Sequence, residues 1–346
     1  MFKPLRSSAL LLVVLTSLAA NLSYAKAYKG AEIYSNQSYQ YGRYEIRMRV
    51  ANASGTLSTF FTYKDGSEIG NTFWEEIDIE IFGKNNATQW QSNIILGTQR
   101  PTIKTEMIHT SPTSLADAYH IYALEWTPDY VAWYLDGVEV RRIMGTSTVT
   151  SLVNAQSLRL NLWSSTLDSW VGPFDDSKLP VYQFISYVDY KAYNATTKTF
   201  EGGWRDEFNS FDTNRWSKAN WSFDENRVDF APANVVVKDG VLVLALTREN
   251  ATGFTGNVPA DAITGSSSSA ATSSSSVASS APVSSSSSSL SSSSIASSSS
   301  PAEASSSSLA AGNKGTSGDK SSGGGGATGW FEIALLAGLL FIRTRR

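Results

Sequence analysis

The sequence predicts an all-β domain, a sandwich or jelly roll, between Lys26 and about Thr247. Two observations carry this. Short runs alternate apolar and polar residues, the period of a strand with one buried face. Turn signals separate the runs, and outside the two chain ends no long stretch has a 3.6-residue period.

The runs can be taken in order. Tyr44 to Val50 alternates throughout. Trp74 to Gly83 alternates isoleucine with acids. Tyr130 to Leu135 alternates, meets the turn pair Asp136-Gly137 and resumes as Val138-Glu139-Val140, a hairpin signal. Lys238-Asp239-Gly240 turns into the apolar run Val241 to Leu246. Residues 204–247 are too few to hold a core alone, and the linker before them, Asn194 to Gly203, is short. Residues 26–255 are therefore one expected domain.

The ends read differently. Residues 1–25 resemble a secretory signal peptide: Lys3 and Arg6 at the start, an apolar stretch from Leu10 to Ala20, and the cleavage site Ser23-Tyr24-Ala25. Residues 256–322 form a low-complexity linker, mostly serine from Gly265 to Ser308, with too little apolar surface to offset its ordering entropy. Residues 323–346 run from Gly323–Gly326 through the apolar stretch Trp330 to Ile342 to Arg343, Arg345 and Arg346. That order resembles the GlyGly sorting signal of Gram-negative secreted proteins. It implies cutting by a rhomboid-type protease and release to the cell surface or the medium. A plain tail anchor is the other reading.

Composition narrows the function. The 28 basic and 31 acidic residues give a net charge of -3, without the basic excess of a nucleic-acid binder. The absence of cysteine removes disulfides, thiolate catalysis and cysteine zinc sites together. The two histidines, His109 and His120, cannot build a multi-histidine metal centre. Ten Trp and 15 Tyr suit either sugar stacking or an aromatic β core.

The chemistry concentrates in Trp74-Glu75-Glu76-Ile77-Asp78-Ile79-Glu80-Ile81-Phe82-Gly83. On a strand, Ile77, Ile79 and Ile81 share the core face, and Glu76, Asp78 and Glu80 share the other. Three neighbouring carboxylates repel, so the arrangement calls for a use. Glycoside hydrolysis is one, with a nucleophile and an acid. A hard-cation site is a second, and a solvated strand face a third. Cα atoms four residues apart on a strand are about 13 Å apart. A retaining glycosidase needs its carboxyl groups about 5–5.5 Å apart, so Glu76 and Glu80 can cooperate only on a curved sheet with both side chains leaning inward.

The run E-I-D-I-E, preceded by Trp and followed by an apolar residue, an aromatic and Gly, resembles the active-site strand of glycoside hydrolase family 16, in the uninterrupted form of its lichenases. Further segments share the resemblance: Tyr41-Gly42-Arg43-Tyr44-Glu45, Phe61-Thr62-Tyr63, Gln91-Ser92-Asn93, Leu124-Glu125-Trp126-Thr127-Pro128 and Arg159-Leu160-Asn161-Leu162-Trp163. Segments 206–212 and 220–247 are similar to the start of most lichenases, yet here they follow the strand Ile185 to Tyr193. That order resembles the naturally circularly permuted bacterial lichenases, which permutation at nearby surface termini allows.

The resemblance implies a concanavalin A-like β-jelly roll and a secreted, retaining endo-β-glucanase acting on mixed-linkage β-1,3-1,4-glucans. Another β-glucan such as laminarin or xyloglucan, a non-catalytic glucan-binding module, and a surface structural protein remain the alternatives. By position it implies Glu76 as nucleophile, Glu80 as acid/base and Asp78 as the group that orients and tunes them. It places Phe61, Tyr63, Trp74, Gln91, Asn93, Arg159, Asn161, Trp163, Trp170, Trp221, Phe223 and Arg227 along the glucan cleft, with Glu32 near a distal sugar. Some of these aromatics are expected to serve only core packing. It also implies a structural Ca²⁺ at Ser186, Glu207 and Gly240. Serine stands where relatives carry Asn or Asp, which a backbone-carbonyl ligand survives. A monomer is expected.

Overall fold

The computed structural model describes residues 25–98 and 103–261. The readings of residues 1–24 as a leader and of the chain beyond 261 as linker and sorting signal lie outside the described residues. The described chain is built from β1 (Tyr28–Tyr39), β2 (Gly42–Arg49), β3 (Leu57–Tyr63), β4 (Phe73–Phe82), β5 (Gln89–Thr98), β6 (Ile103–Lys104), β7 (Met107–Thr110), β8 (His120–Trp126) and β9 (Tyr130–Leu135). It continues with β10 (Val138–Met144), β11 (Gln156–Trp163), β12 (Val181–Asn194), β13 (Thr199–Asp206), β14 (Trp216–Lys218), β15 (Asp229–Phe230), β16 (Val235–Lys238) and β17 (Val241–Arg248).

Two antiparallel sheets form the sandwich of a β-jelly roll. The first runs β14–β1–β11–β3–β4–β5, with β6 and β7 beyond β5. The second runs β16–β17–β12–β2–β8–β9–β10. β13 joins β12 where β17 leaves it. The chain ends meet at a corner, where Tyr28 stands opposite Arg248 and Lys29 opposite Thr247.

β4 shows why the sequence folds this way. Ile77, Ile79 and Ile81 are fully buried between the sheets. Each contributes roughly 1.5–3 kcal/mol through that burial, enough to hold the register against the acids on the other face. Trp133 of β9 locks the two sheets, its indole N–H donating to the Asp78 carbonyl at 3.0 Å.

Two segments differ from the sequence reading. Asn194 to Gly203 is not a linker: β12 ends at Asn194 and β13 begins at Thr199, so the stretch is a hairpin turn and its returning strand. The packed chain also continues past 255, the boundary expected from sequence. Residues 249–261 cross the outer face of the second sheet. Phe254 packs on Tyr182 and Phe184 at 4.8 and 5.7 Å between ring centres. Val258 joins the same outer cluster with Phe184 and Val243. The crossing ends in Asp261, buried, whose carboxylate accepts from Arg47 Nε at 2.8 Å and Nη2 at 2.6 Å. No periodic signal marks this segment.

Candidate active site

β4 lies between β3 and β5, and directly opposed residues of an antiparallel pair share a face. Glu76 stands opposite Tyr63 and Ile95, Asp78 opposite Phe61 and Asn93, and Glu80 opposite Thr59 and Gln91. Further out, Arg159 of β11 opposes Phe61 and Asn161 opposes both Thr59 and Glu32. Glu32, Phe61, Tyr63, Trp74, Gln91, Asn93, Arg159 and Asn161 therefore share one face with the three acids, turned away from the core.

The acids are deeply placed: Glu76 is 5% and Asp78 3% exposed. Desolvation dominates their protonation, since charge is costly away from water. Burial pushes Glu76 up to about 7, against hydrogen bonds from Asp78 and Trp74 that pull it down. Trp74 Nε1 donates to Glu76 Oε2 at 2.6 Å. Burial, then the charges of Glu76 and Glu80, hold Asp78 well above the carboxylate range. The hydrogen bond between them favours the proton on Asp78 and the anion on Glu76. Burial and the charge of Glu76 push Glu80 up to about 8, despite the Gln91 amide that donates to its Oε2 at 2.9 Å. Near neutrality the face holds a hydrogen-bonded carboxylate at Glu76 and a protonated acid at Glu80. An anion and an acid on one face, close enough for the charge of Glu76 to act on Glu80, are the two groups that glycoside hydrolysis needs.

Arg159 fixes the outer part of the face. Its guanidinium is buried, pairs with Glu32 at 3.1 Å and with Asp65, and takes Ser157 Oγ at 3.0 Å. Burial opposes its charge, and Glu32 and Asp65 more than offset that. Asn161 Nδ2 donates to Glu32 Oε2 at 3.1 Å. Glu32 is thus not a solvated charge but the counter-ion of this cluster. Tyr63 gives its hydroxyl to Glu68 at 2.6 Å, and Asn93 Oδ1 accepts the Thr105 amide at 2.8 Å.

The remaining predicted residues gather at one end. Trp163 meets Trp170 at 6.0 Å and Phe223 at 5.3 Å between ring centres. Trp163 and Phe223 are buried within the main core, while Trp170 is partly exposed and donates to Gln91 Oε1 at 3.4 Å. Phe223 therefore serves packing more than an open surface. Trp221 leans on Tyr34 at 5.2 Å. Arg227 bonds Asp168 at 2.8 Å and sits 5.1 Å over the Phe174 ring.

Sequence reading missed Tyr34, Asp65 and Lys104. Tyr34 follows Glu32 at strand spacing, a usable signal. Asp65 lies just past the end of β3, where no alternation applies. Lys104 stands opposite Ile95, and its charge draws all three acids down.

The expected calcium residues lie at strand irregularities and ends. Ser186 is the extra residue of a bulge between Ile185 and Tyr187, and the β17 pairing stops at Ile185, so it lies outside both ladders. Gly240, a turn residue with φ +72, precedes the start of β17 at Val241. Glu207 follows Asp206, which opposes Val188. The Glu207 side chain turns to Arg205 at 2.9 Å. No acidic or histidine cluster suited to a metal occurs among the described residues, so a cation here would have to take backbone carbonyls.

Comparison with known proteins agrees with this geometry. The family model "Glycosyl hydrolases family 16" matches residues 12–178. A β-glucanase of Fibrobacter succinogenes is 47% identical over 252 residues, covering 71% of each chain. A β-glucanase of Brevibacillus brevis is 32% identical over 175 residues, 50% of this chain and 64% of that protein. Among solved structures, Bacillus licheniformis β-glucanase aligns with 32% identity and a TM-score of 0.40, over 46% of this chain and 70% of that one. Identity of 47% over 71% of the Fibrobacter protein, together with the family match, makes this chain a member of glycosyl hydrolases family 16, a glycoside hydrolase.

Proposed function

We propose that the protein is an endo-β-glucanase that cleaves β-1,4 bonds next to β-1,3 bonds in mixed-linkage β-1,3-1,4-glucans, with retention of configuration. One observation carries the reading: Glu76, Asp78 and Glu80 share one face of β4, where Trp74 donates to Glu76 and Gln91 to Glu80. Glu80 protonates the departing glycosidic oxygen while Glu76 attacks the anomeric carbon. Water then hydrolyses the glycosyl-enzyme, with Glu80 as base. The hydrogen bond from Asp78 favours the anion at Glu76.

The cleft roles follow from position. Phe61, Tyr63, Trp170 and Trp221 offer ring faces to sugar C–H groups, and Gln91, Asn93, Asn161 and Arg159 offer polar groups to hydroxyls. The β-glucanase part of the reading is supported by relatives such as the Fibrobacter and Brevibacillus β-glucanases, and the mixed-linkage part by the uninterrupted run of acids on β4. Reducing-end release from barley β-glucan, laminarin, xyloglucan and carboxymethylcellulose, measured in parallel, tests it. Release confined to barley β-glucan is expected; release mainly from laminarin keeps the acids' roles and overturns the specificity. Proton NMR of the first product anomer tests retention.

Three further readings belong here. A structural Ca²⁺ is held by the carbonyls of Ser186, Glu207 and Gly240 and pins the β12–β17 corner. The order of segments is a circular permutation, supported by the contact between β1 and β17 that brings the folded ends together. The protein is exported as a monomer, its leader removed after Ala25 and its tail handled by a rhomboid-type protease. Mass spectrometry of both termini of the exported protein tests the processing.

A further inference from the structure

Lys26 is the first residue after the expected leader cleavage. Its side chain reaches about 200 positions along the chain. The ammonium donates to Ser222 Oγ at 2.5 Å, to the Asn226 carbonyl at 2.5 Å and to the Phe223 carbonyl at 3.2 Å. An ammonium has three donors, and here three acceptors of a single loop take them. Phe223 and Asn226 are buried. Ser222 passes the connection on by donating to the Val228 carbonyl at 2.8 Å. The backbone nitrogen of Lys26 donates to Asp229 Oδ2 at 2.9 Å, the same oxygen that pairs with Lys29 at 2.9 Å.

The loop so held is the one that carries Trp221, Phe223 and Arg227. It has little regular structure of its own. An isolated bridge links Asn226 to Ser165, and Glu225 takes a positive φ of 67, costly for a non-glycine residue. Such a segment keeps its shape only when its surroundings determine it.

We propose that Lys26 is a positioning residue for the cleft: its side-chain ammonium fixes the 221–227 loop, and leader removal turns its backbone nitrogen into a second cation on Asp229. The proposal rests on the glucanase reading above and on cleavage after Ala25. A neutral residue at 26 leaves two buried carbonyls without their cation and frees the loop to drift. The acids on β4 lie on another element and keep their geometry. The loss therefore falls on substrate binding rather than on the chemical step.

The test uses the exported full chain, its N-terminus verified, assayed on barley β-glucan. Lys26→Met is expected to raise KM about tenfold with kcat within about twofold, and Lys26→Arg to recover most of the loss. Ser222→Ala, which deletes one acceptor, shifts KM the same way by less and serves if Lys26→Met is not exported. A folded Lys26→Met enzyme with unchanged KM overturns the proposal, and so does a fall confined to kcat. Trp221→Ala separates the two readings: if it leaves KM unchanged, the loop is not part of the cleft and the site reading fails, not the clamp. A chain retaining Ala25, in which the Lys26 nitrogen stays an amide, is expected to melt lower than the cleaved form. Equal melting overturns the α-ammonium's part.

Discussion

Trp74 and Glu76 stand two residues apart on one face of β4, and the indole N–H of Trp74 lies 2.6 Å from Glu76 Oε2. A donor to a carboxylate favours its anion, so this contact opposes the burial that pushes Glu76 up to about 7. Trp74→Phe keeps an apolar ring and removes the donor. The acid limb of kcat/KM is expected to move to higher pH, and activity at pH 6 to fall about tenfold. An unshifted limb shows that another group holds the nucleophile ionised.

The native profile has its own shape. Turnover needs Glu76 ionised and Glu80 protonated. The limbs of kcat/KM should therefore lie near the values of about 7 and about 8 of these acids. The acids are coupled, so the limbs belong to the cluster. Glu76→Gln is expected to lose at least about a thousandfold in kcat. A variant that keeps a few per cent of activity removes Glu76 from the nucleophile role.

Stability runs against the active state. Glu80 titrates at about 8 when folded, above its ordinary value of 4.5. The folded chain then binds more protons than the unfolded one between those limits, so this acid contributes stability at low pH that is lost as pH rises through about 8. Glu80→Gln is thus expected to melt higher than the native chain at pH 8, with a smaller gap at pH 4.5. Calorimetry at both values checks this, and a gap that widens toward acid contradicts it.

The segment beyond 255 adds a separate prediction. Asp261→Asn leaves the largely buried Arg47 guanidinium without its counter-ion. Removing one partner of such a pair costs about 2–4 kcal/mol, or roughly 5–10 °C of Tm for a domain of this size. Activity at 25 °C should stay unchanged, because the pair lies on the sheet away from the acids. Truncation at 255 should cost more, because it also removes Val258 from the outer cluster and the Pro259 carbonyl that accepts from Tyr119.

Chelation tests the cation. EDTA should lower Tm by roughly 5–10 °C, and added calcium should restore it. Ser186→Ala keeps its carbonyl and should show the same calcium dependence. Loss of that dependence points to a side-chain ligand.

The alternation in β4 was enough to place both sides of the strand. Ile77, Ile79 and Ile81 are buried in the core, and the acids share the other face. The hairpin at Asp136-Gly137 was legible for the same local reason, although a register shift between Glu139 and Arg141 follows it. Contacts between distant segments were not legible. Arg47 and Asp261 are 214 residues apart, and Lys26 and Ser222 are 196 apart. No local pattern announces such a pair. Phe223 fails as an open cleft residue for a related cause. Its type says it can stack on sugar, and only the packing of Trp163 and Phe230 around it says that it is covered.

The Arg47–Asp261 pair also decides where mechanical load enters the domain. Asp261 lies on the outer face of the second sheet, and the carboxylates lie on the outer face of the first. A pull applied at Asp261 acts on the back of the sandwich. It must peel Asp261, Val258 and Phe254 away in turn before any strand is strained. A domain held at Asp261 presents its acids on the opposite face, and tension would reach the cleft only after residues 254–261 had been stripped.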